Sequence, residues 1–379
     1  MAFGTSSPFG DFEFVPPAAR FVDLPSHLVL HRGGLLEQGR IAYETLGTPS
    51  PRRDNTVLVL TGLSAGAHIA AGDDDPLPGW WEGIVGPGRA IDTNRWHVVC
   101  INSLGSCFGS SGPASVNSRT GQPYRLAFPE ISIEDIADSA AYVVTHLGIQ
   151  QLAAVVGCSM GGMSALSLFA RHPHIASAHI SVCAAPQSTD FAIAVRSIQR
   201  EVILQDPAWA GGAYIRERFP RQGLVTARKL GMLSYRGARE WEVRFGRTPA
   251  SSVAAPFDPE FAVEGYLQHH ANRFSERFDP NCYLYLSRAS DRFTQPQTPA
   301  AAGALRYALV LGAETDLLSP PDQQESIIRR FRSMGVETTG ATLESPHGHD
   351  SFLVDIVRFG DAIGTFLSSL PSPSLEKLP

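Results

Sequence analysis

No stretch of eighteen or more apolar residues occurs in the 379-residue chain, so the sequence offers no membrane-spanning helix. It has no run of Lys and Arg and no interleaving of basic with aromatic residues. With a formal net charge of −6, a nucleic-acid-binding surface is excluded. Neither a Cys-x-x-Cys pair nor a His-Glu-x-x-His motif is present, so spacing gives no metal site. The five cysteines (Cys100, Cys107, Cys158, Cys183 and Cys282) are odd in number, scattered and set mostly among apolar neighbours. That argues against a disulfide framework and fits reduced, buried thiols in a cytoplasmic protein. Met1 to Pro17 lacks both the basic and the apolar region of a secretory signal, and the expectation for residues 1–27 is a loosely held N-terminal arm. Internal repeats are absent. The composition is that of a soluble globular enzyme, with small-molecule substrates and neither nucleic acid nor membrane expected as a partner.

What is present centres on one decapeptide, Val155-Val156-Gly157-Cys158-Ser159-Met160-Gly161-Gly162-Met163-Ser164. Leu152 to Val156 is an apolar, partly β-branched run, the pattern of a buried strand. Ser164 to Arg171 carries apolar residues at helical spacing. Between them, Gly-x-Ser-x-Gly is the pattern of a nucleophile elbow. There a serine sits in a strained turn, small residues two before and two after let strand and helix approach, and the next N–H, that of Met160, can face a developing oxyanion. The competing reading is a Gly-rich turn that happens to contain a serine. A thiol nucleophile at Cys158 is a further alternative.

A serine hydroxyl needs a base, and the base needs an orienting acid. In an α/β-hydrolase arrangement the chain order is Ser, acid, His. Leu309 to Asp316 places two carboxylates after a late strand. Asp316 lies beyond the strand and is preferred over Glu314. Ser345 to Phe352 follows the last strand and holds two of the twelve histidines. His349, directly before the final helix, is assigned as the base, and His347 as a neighbour that steadies the loop. The small-residue loop Thr61 to His68 follows the strand Thr56–Leu60. The Leu63 N–H is assigned there as the second oxyanion donor, against the alternative of an ordinary Gly-rich turn.

Along the chain, Leu28 to Gly47 reads as a pair of antiparallel strands turning at Gly33-Gly34, with Arg40 to Leu46 as the second, and Trp96 to Asn102 as the next strand. A helix spans Ile133 to Leu147, capped by Ser132 with Asp135. From Pro186 to Pro299 helical stretches replace the βα alternation, with helices at 193–204, 223–233, 261–274 and 281–290. The α/β pattern then resumes with a strand at Tyr307, a helix from Pro321, a strand at Glu337–Leu343 and a last helix over Phe352–Leu367. The expected fold is a mostly parallel α/β sheet of the α/β-hydrolase type. Its core comprises 28–185 and 300–379, and 186–299 is a helical lid inserted over the carboxyl edge. The tail from Leu370 is Pro- and Ser-rich and expected to fray.

Assembled, these pieces resemble the homoserine O-acyltransferase family of the α/β-hydrolase fold, from about Leu28 to Leu367. The matching stretches include Pro78-Gly79-Trp80-Trp81-Glu82-Gly83, Gly109-Ser110-Ser111-Gly112-Pro113, Gly157 to Met163, Gly223-Leu224 with Ala227-Arg228, Arg277-Phe278-Asp279, and Gly348-His349-Asp350-Ser351-Phe352-Leu353. The resemblance implies a ping-pong acyltransferase, typically a homodimer held by the lid. Acyl-CoA would be its donor substrate, an amino-acid hydroxyl its acceptor, and no cofactor would be needed. It further implies that Arg228 and Asp350 bind the acceptor's carboxylate and amine. Without it, Arg228 reads as a surface arginine and Asp350 as a helix N-cap.

The sequence departs from the family in places that bear on specificity. The family loop resembling His-Ala-Leu-Thr-Gly is here Thr61-Gly62-Leu63-Ser64-Ala65, which alters the floor of the acceptor pocket at Gly62, Leu63, Ser64 and Ala65. The family's Gly-Gly-Cys loop is Gly105-Ser106-Cys107. Arg196 stands where acetyl-specific members carry an uncharged residue, and a guanidinium can pair bidentately with the free carboxylate that succinyl-CoA brings. These departures resemble the serine O-succinyltransferase subgroup. The expected reaction is therefore succinyl transfer to L-serine in cysteine biosynthesis. Homoserine O-succinyl- or O-acetyltransfer is the alternative within the family, and a serine esterase the alternative outside it.

Overall fold

A computed structural model describes residues 12–251, 255–296 and 303–371. Most of the expected frayed tail and the first eleven residues of the expected arm lie outside the described residues.

Eight strands form one sheet: β1 (Arg20–Asp23), β2 (Arg40–Leu46), β3 (Thr56–Leu60), β4 (His97–Ile101), β5 (Leu152–Cys158), β6 (Ala176–Val182), β7 (Tyr307–Ala313) and β8 (Glu337–Leu343). Their spatial order is β1-β2-β4-β3-β5-β6-β7-β8. β1–β2 and β2–β4 pair antiparallel, and every later pair is parallel. Leu60 is in register with Gly157, Cys158 with Val182, and Val182 with Leu311. The carboxyl ends of β3, β5, β6 and β7 therefore share one edge, the edge where open parallel sheets bind ligands.

Side chains alternate across this sheet with the period of two that a pleated strand imposes. Leu58, Leu60, Val99, Ile101, Val155 and Val310 face one core, beneath α1 (Ile133–His146), α2 (Met160–Arg171) and α8 (Pro321–Ser333). Val57, Val59, Val98, Cys100, Val156 and Leu311 face the other. Phe359, Ile363 and Leu367 of α10 (Ile356–Ser369), spaced four apart on one face, cover that side together with Trp81 and Ile84. α1 opens on a capping box in which Ser132 and Asp135 bond each other's backbone N–H, as its sequence predicts.

Between β6 and β7 the chain leaves the sheet to form α3 (Asp190–Gln205), α4 (Arg221–Tyr235), α5 (Ala238–Phe245), α6 (Ala262–Ser275) and α7 (Pro280–Arg292). The insertion closes on itself where it departs, since Gln295 N–H donates to the Pro186 carbonyl at 2.7 Å. It is tied to the core by the Tyr285 hydroxyl, which donates to the Phe128 carbonyl at 2.8 Å. It also meets the loop bearing the histidine. A Cβ on Gly237 would lie 2.3 Å from the Pro346 carbonyl oxygen, and one on Gly348 2.6 Å from that of Tyr235, so both contacts require glycine.

Four expectations change. The segment assigned to an arm contains β1, an edge strand of the central sheet, so the sheet begins before residue 28. His27–Val29 does pair across Gly33-Gly34, but with Leu35–Glu37, while Arg40–Leu46 joins β1 and β4 instead. α5 was not expected. The last helix is two, with α9 (Ser351–Val354) separated from α10 at Asp355, whose φ and ψ of −88° and 60° are non-helical.

Candidate active site

Ser159 follows β5 and precedes α2 with φ of 55° and ψ of −121°, a region that L-residues rarely occupy. Strain of this kind persists only where surroundings enforce it. Here they do. A Cβ on Gly161 would stand 2.0 Å from the Leu60 carbonyl oxygen, and one on Gly157 2.5 Å from that of Gly161. The two glycines of the motif let α2 press onto β3 and β5, and the chain between them has only a sharp turn available. Ser159 N–H is held by the Val182 carbonyl at 3.0 Å.

The loops after β7 and β8 bring the partners. The Ser159 hydroxyl and His349 Nε2 are 2.7 Å apart, and His349 Nδ1 lies 2.7 Å from Asp316 Oδ2. The other Asp316 oxygen accepts the N–H groups of Leu318 and Ser319, each at 2.9 Å. The carboxylate is thereby fixed as well as buried, at 2 % exposure. Thr315 clamps the two loops together. Its hydroxyl donates to the Ser345 carbonyl and accepts from Gly348 N–H. Burial disfavours the His349 imidazolium, but the charge and hydrogen bond of Asp316, with a smaller push from Asp350, outweigh burial and the opposing Arg196. The net shift of the His349 pKa is upward. Asp316 on Nδ1 leaves Nε2 to accept the serine proton, so the arrangement can generate an alkoxide nucleophile.

The competing residues fall away by position. Glu314 is exposed, with its N–H bonded to Leu343. His347 lies 3.2 Å from Glu240 at the lid, away from Ser159. Cys158 is fully buried on the opposite face of β5, and burial pushes its thiol far above the ordinary range.

Ser159 and His349 lie in a cavity of about 240 Å³ roofed by the lid. Met160 lines it and opens α2, so its N–H has no carbonyl acceptor within the helix. Gly62, Leu63, Ser64 and Ala65 line it from the β3 side. A Cβ on Gly62 would sit 3.8 Å from Ser159 Cβ, so glycine here widens the floor beside the nucleophile. A larger cavity of about 570 Å³ lies on the flank of the sheet by Glu44 and Asp73 to Asp75, and Ser159 and His349 do not line it.

The lid supplies charge. Arg228 enters the cavity from α4, with its guanidinium carbon 4.5 Å from the Phe274 ring centroid and 5.5 Å from that of Tyr235. Among the described residues it has no carboxylate partner. Asp350 also lines the cavity. One of its oxygens accepts from Arg236 Nε at 3.0 Å; it occupies the N-cap position of α9, as the sequence suggested, but makes no side-chain cap bond there. Arg196 lines the cavity from α3, but it is not the free fork expected. Its Nε donates to Asp291 at 2.5 Å and its Nη2 to the Ser188 hydroxyl at 2.6 Å. Arg200 takes the second Asp291 oxygen at 2.6 Å, so two guanidiniums share one carboxylate. Only Arg196 Nη1 has no partner among the described residues, so a donor carboxylate would meet a partly occupied cation.

Sequence reasoning missed Tyr235, Ser188 and Asp291. No local pattern marks them; they matter through contacts with residues far along the chain. Trp80, which lines the cavity and donates to the Gly66 carbonyl at 3.0 Å, lay within a matched stretch but was not singled out.

Residues 55–354 match the family model of the alpha/beta hydrolase fold. The chain is 54% identical over 369 residues to an L-serine/homoserine O-acetyltransferase of Streptomyces lavendulae, covering 94% of this chain and 99% of that protein. It is 52% identical over 376 residues to a serine O-succinyltransferase of Xanthomonas campestris, with the same coverage. Among solved structures, it is similar to a homoserine O-acetyltransferase from Bacillus anthracis, with a TM-score of 0.83 at 27% identity over 93% of this chain and 98% of that one. Esterase E22 is similar too, with a TM-score of 0.82 at 28% identity over 92% and 99%. The chain belongs to the α/β-hydrolase fold family and, within it, to the serine and homoserine O-acyltransferases. It is an acyltransferase.

Proposed function

We propose that this acyltransferase moves a succinyl group from succinyl-CoA to the hydroxyl of L-serine, through an acyl-enzyme on Ser159, in cysteine biosynthesis. The observation that carries the proposal is a single cavity. It holds the Ser159–His349 pair, a cation at Arg228 that has no carboxylate partner among the described residues, and a carboxylate at Asp350. A zwitterionic amino acid needs one anchor of each sign next to the nucleophile.

In the first half-reaction, His349 Nε2 takes the Ser159 proton as Oγ attacks the thioester carbon. The Leu63 and Met160 N–H groups hold the oxyanion. Collapse expels the CoA thiolate, which takes the proton from His349. In the second, Arg228 and Asp350 place the acceptor, His349 takes its hydroxyl proton, and the new ester forms. Collapse frees Ser159 Oγ, which recovers the proton. No step needs a resident cofactor.

Arg196 favours succinyl as the donor, because a cation at the lid side of the cavity suits a second carboxylate. The relatives' names divide on the donor and agree that serine is an acceptor. The widened floor at Gly62 accords with an acceptor different from that of the wider family. The assay that tests the proposal is kcat/KM for L-serine and L-homoserine, each with succinyl-CoA and acetyl-CoA. Highest efficiency with serine and succinyl-CoA is expected; a higher value with acetyl-CoA would overturn the donor assignment. Similarity to esterase E22 keeps hydrolysis as a second reading. A stopped assay that yielded free succinate and no O-succinylserine would establish it.

Phe191, Ile198 and Leu204 on α3 and Leu233 on α4 are exposed apolar side chains on the lid, and their exposure supports a lid-to-lid homodimer. The five buried free thiols accord with a reducing, cytoplasmic setting. No helix among the described residues is long and apolar enough to cross a membrane.

A further inference from the structure

Outside the cavity, the lid carries one surface where aromatic rings and cations interleave. Trp241 and Phe245 of α5 stack with centroids 5.7 Å apart. Tyr266 of α6 packs edge-on against Trp241 at 6.1 Å and lies 4.2 Å from the His270 ring. The Arg244 guanidinium carbon sits 4.4 Å from the Tyr266 centroid. These rings are half-buried, so their faces are held in place without being sealed from solvent.

Cationic groups outnumber the carboxylates around them, which on α5 and α6 are Glu240, Glu242 and Glu264. Arg244 lies over the Tyr266 ring, Arg273 stands three residues beyond His270 on α6, and Arg228 rests on Phe274 of the same helix; after burial, the neighbouring His269 and these three arginines hold the His270 imidazole below the ordinary histidine value. Lys229 joins this group through a 2.5 Å hydrogen bond from its ammonium to Gln268 Oε1 on α6. Among the described residues, the carboxylate paired with this group is Glu240. It lies 3.6 Å from Arg244 and is already engaged by Arg236 and His347. Arg273 has no carboxylate partner among the described residues. One member of the cluster, Arg228, also lines the active-site cavity. The basic surface therefore continues into the site that holds Ser159.

An aromatic step bordered by more guanidiniums than carboxylates fits one kind of ligand: a planar base joined to several phosphates. We propose that the α5–α6 surface binds the 3′-phosphoadenosine diphosphate end of the acyl-CoA donor. The adenine lies against Tyr266 and Trp241, and Arg244, Arg273 and Lys229 face the phosphates. The neutral pantetheine arm then runs past Arg228 to bring the thioester to Ser159. This assignment rests on the acyl-CoA reading of the same cavity. It gives that reading a nucleotide subsite with residues that take no part in bond making.

Arg244→Ala combined with Arg273→Ala tests it, with two donors compared. One is succinyl-CoA. The other is a succinyl thioester of N-acetylcysteamine, which carries the reacting group without any nucleotide. The variant should raise KM for succinyl-CoA about tenfold or more, a change of roughly 1.4 kcal/mol in binding. kcat, KM for L-serine and kcat/KM for the short thioester should stay as in the parent. Unchanged kinetics with the short thioester also establish that the variant is folded. Adenosine 3′,5′-bisphosphate should inhibit the parent competitively against succinyl-CoA and inhibit the variant at least tenfold less. Equal losses with both donors, or unaltered inhibition, would overturn the subsite. Failure of acyl transfer by the parent with both donors would instead strike the acyl-CoA reading itself.

Discussion

The carboxyl edge of the sheet and the helical lid meet in one cavity, yet they are built on opposite terms. At the sheet edge both Asp316 oxygens are bonded, both His349 nitrogens have partners, and the Ser159 backbone is locked by two glycines with no room for a side chain. On the lid, cations outnumber partners. Arg196 and Arg200 share Asp291, and Arg228 rests on aromatic faces with no carboxylate among the described residues. A fully satisfied polar network is rigid and intolerant of loss, whereas surplus charge is capacity for a charged ligand. The edge therefore performs bond making for whatever acyl group arrives, and the lid selects what arrives. Changes at the edge should abolish turnover for all substrates, and changes on the lid should redistribute preference among them.

Removing the nucleophile is the harshest test. Ser159→Ala should lower kcat by on the order of 10⁴-fold or more with either donor. Intact-mass measurement after mixing with succinyl-CoA should show the acyl adduct on the parent and none on the variant. An adduct on the variant would move the nucleophile elsewhere. Asp316→Asn should follow, at about 10⁴-fold, because the amide presents the wrong hydrogen-bonding face to Nδ1. This variant also carries a pH signature. A base works only when neutral, and Asp316 raises the His349 pKa. In the parent, the acidic limb of kcat/KM should therefore lie above the ordinary histidine value, with activity lost as pH falls through it. In the variant the residual activity should persist to lower pH. A limb that does not move would show that Asp316 acts on geometry alone.

The same division explains what the sequence made legible. Ser159, Asp316 and His349 each follow a strand, and strand ends are set by short apolar runs and the small or loop residues that stop them. The order Ser, acid, His then needs no long-range information. β1 was hidden because Arg20–Asp23 buries one residue fully, Val22, and pairs with a strand seventeen or more residues away. The misassigned partner of β2 has the same origin. His27–Val29 and Leu35–Glu37 satisfy the local turn, and Arg40–Leu46 finds better burial between β1 and β4. α5 is short and rich in Arg and Glu, and its apolar Trp241 and Phe245 are used on the surface, so no core stripe announces it. The engagement of Arg196 joins residues 95 apart on different helices, and no pattern in either helix foretells it.

On the lid, Arg228→Ala should raise KM for L-serine by about tenfold to a hundredfold, the cost of a lost charge-assisted bond. The burst of acyl-enzyme from succinyl-CoA should be unaffected, since the nucleophile and base are untouched. A slowed burst would show that Arg228 serves the donor first, and the contrast between edge and lid would then need redrawing. Arg228→Lys should recover part of the loss if charge dominates and little if the planar stack on Phe274 does.

The finest test concerns two arginines that share one carboxylate. Arg196 and Arg200 both bind Asp291, and their charges are nearly the same distance from it, but only Arg196 lines the cavity. If contact with the donor's second carboxylate sets the preference, Arg196→Ala should lower the succinyl-to-acetyl ratio of kcat/KM about tenfold. Arg200→Ala should leave that ratio within about twofold. The expected effect is modest because Asp291 and Ser188 already hold two of the Arg196 nitrogens, so a donor carboxylate adds to a cation that is partly neutralised. Equal falls in both variants would mean that the field of the cluster, rather than a bond from Arg196, draws in the succinyl group. Selection would then belong to the lid's net charge. In that case raising ionic strength should erase the preference in the parent, because a field acting across solvent is screened within about 10 Å at 0.1 M salt and a direct contact is not.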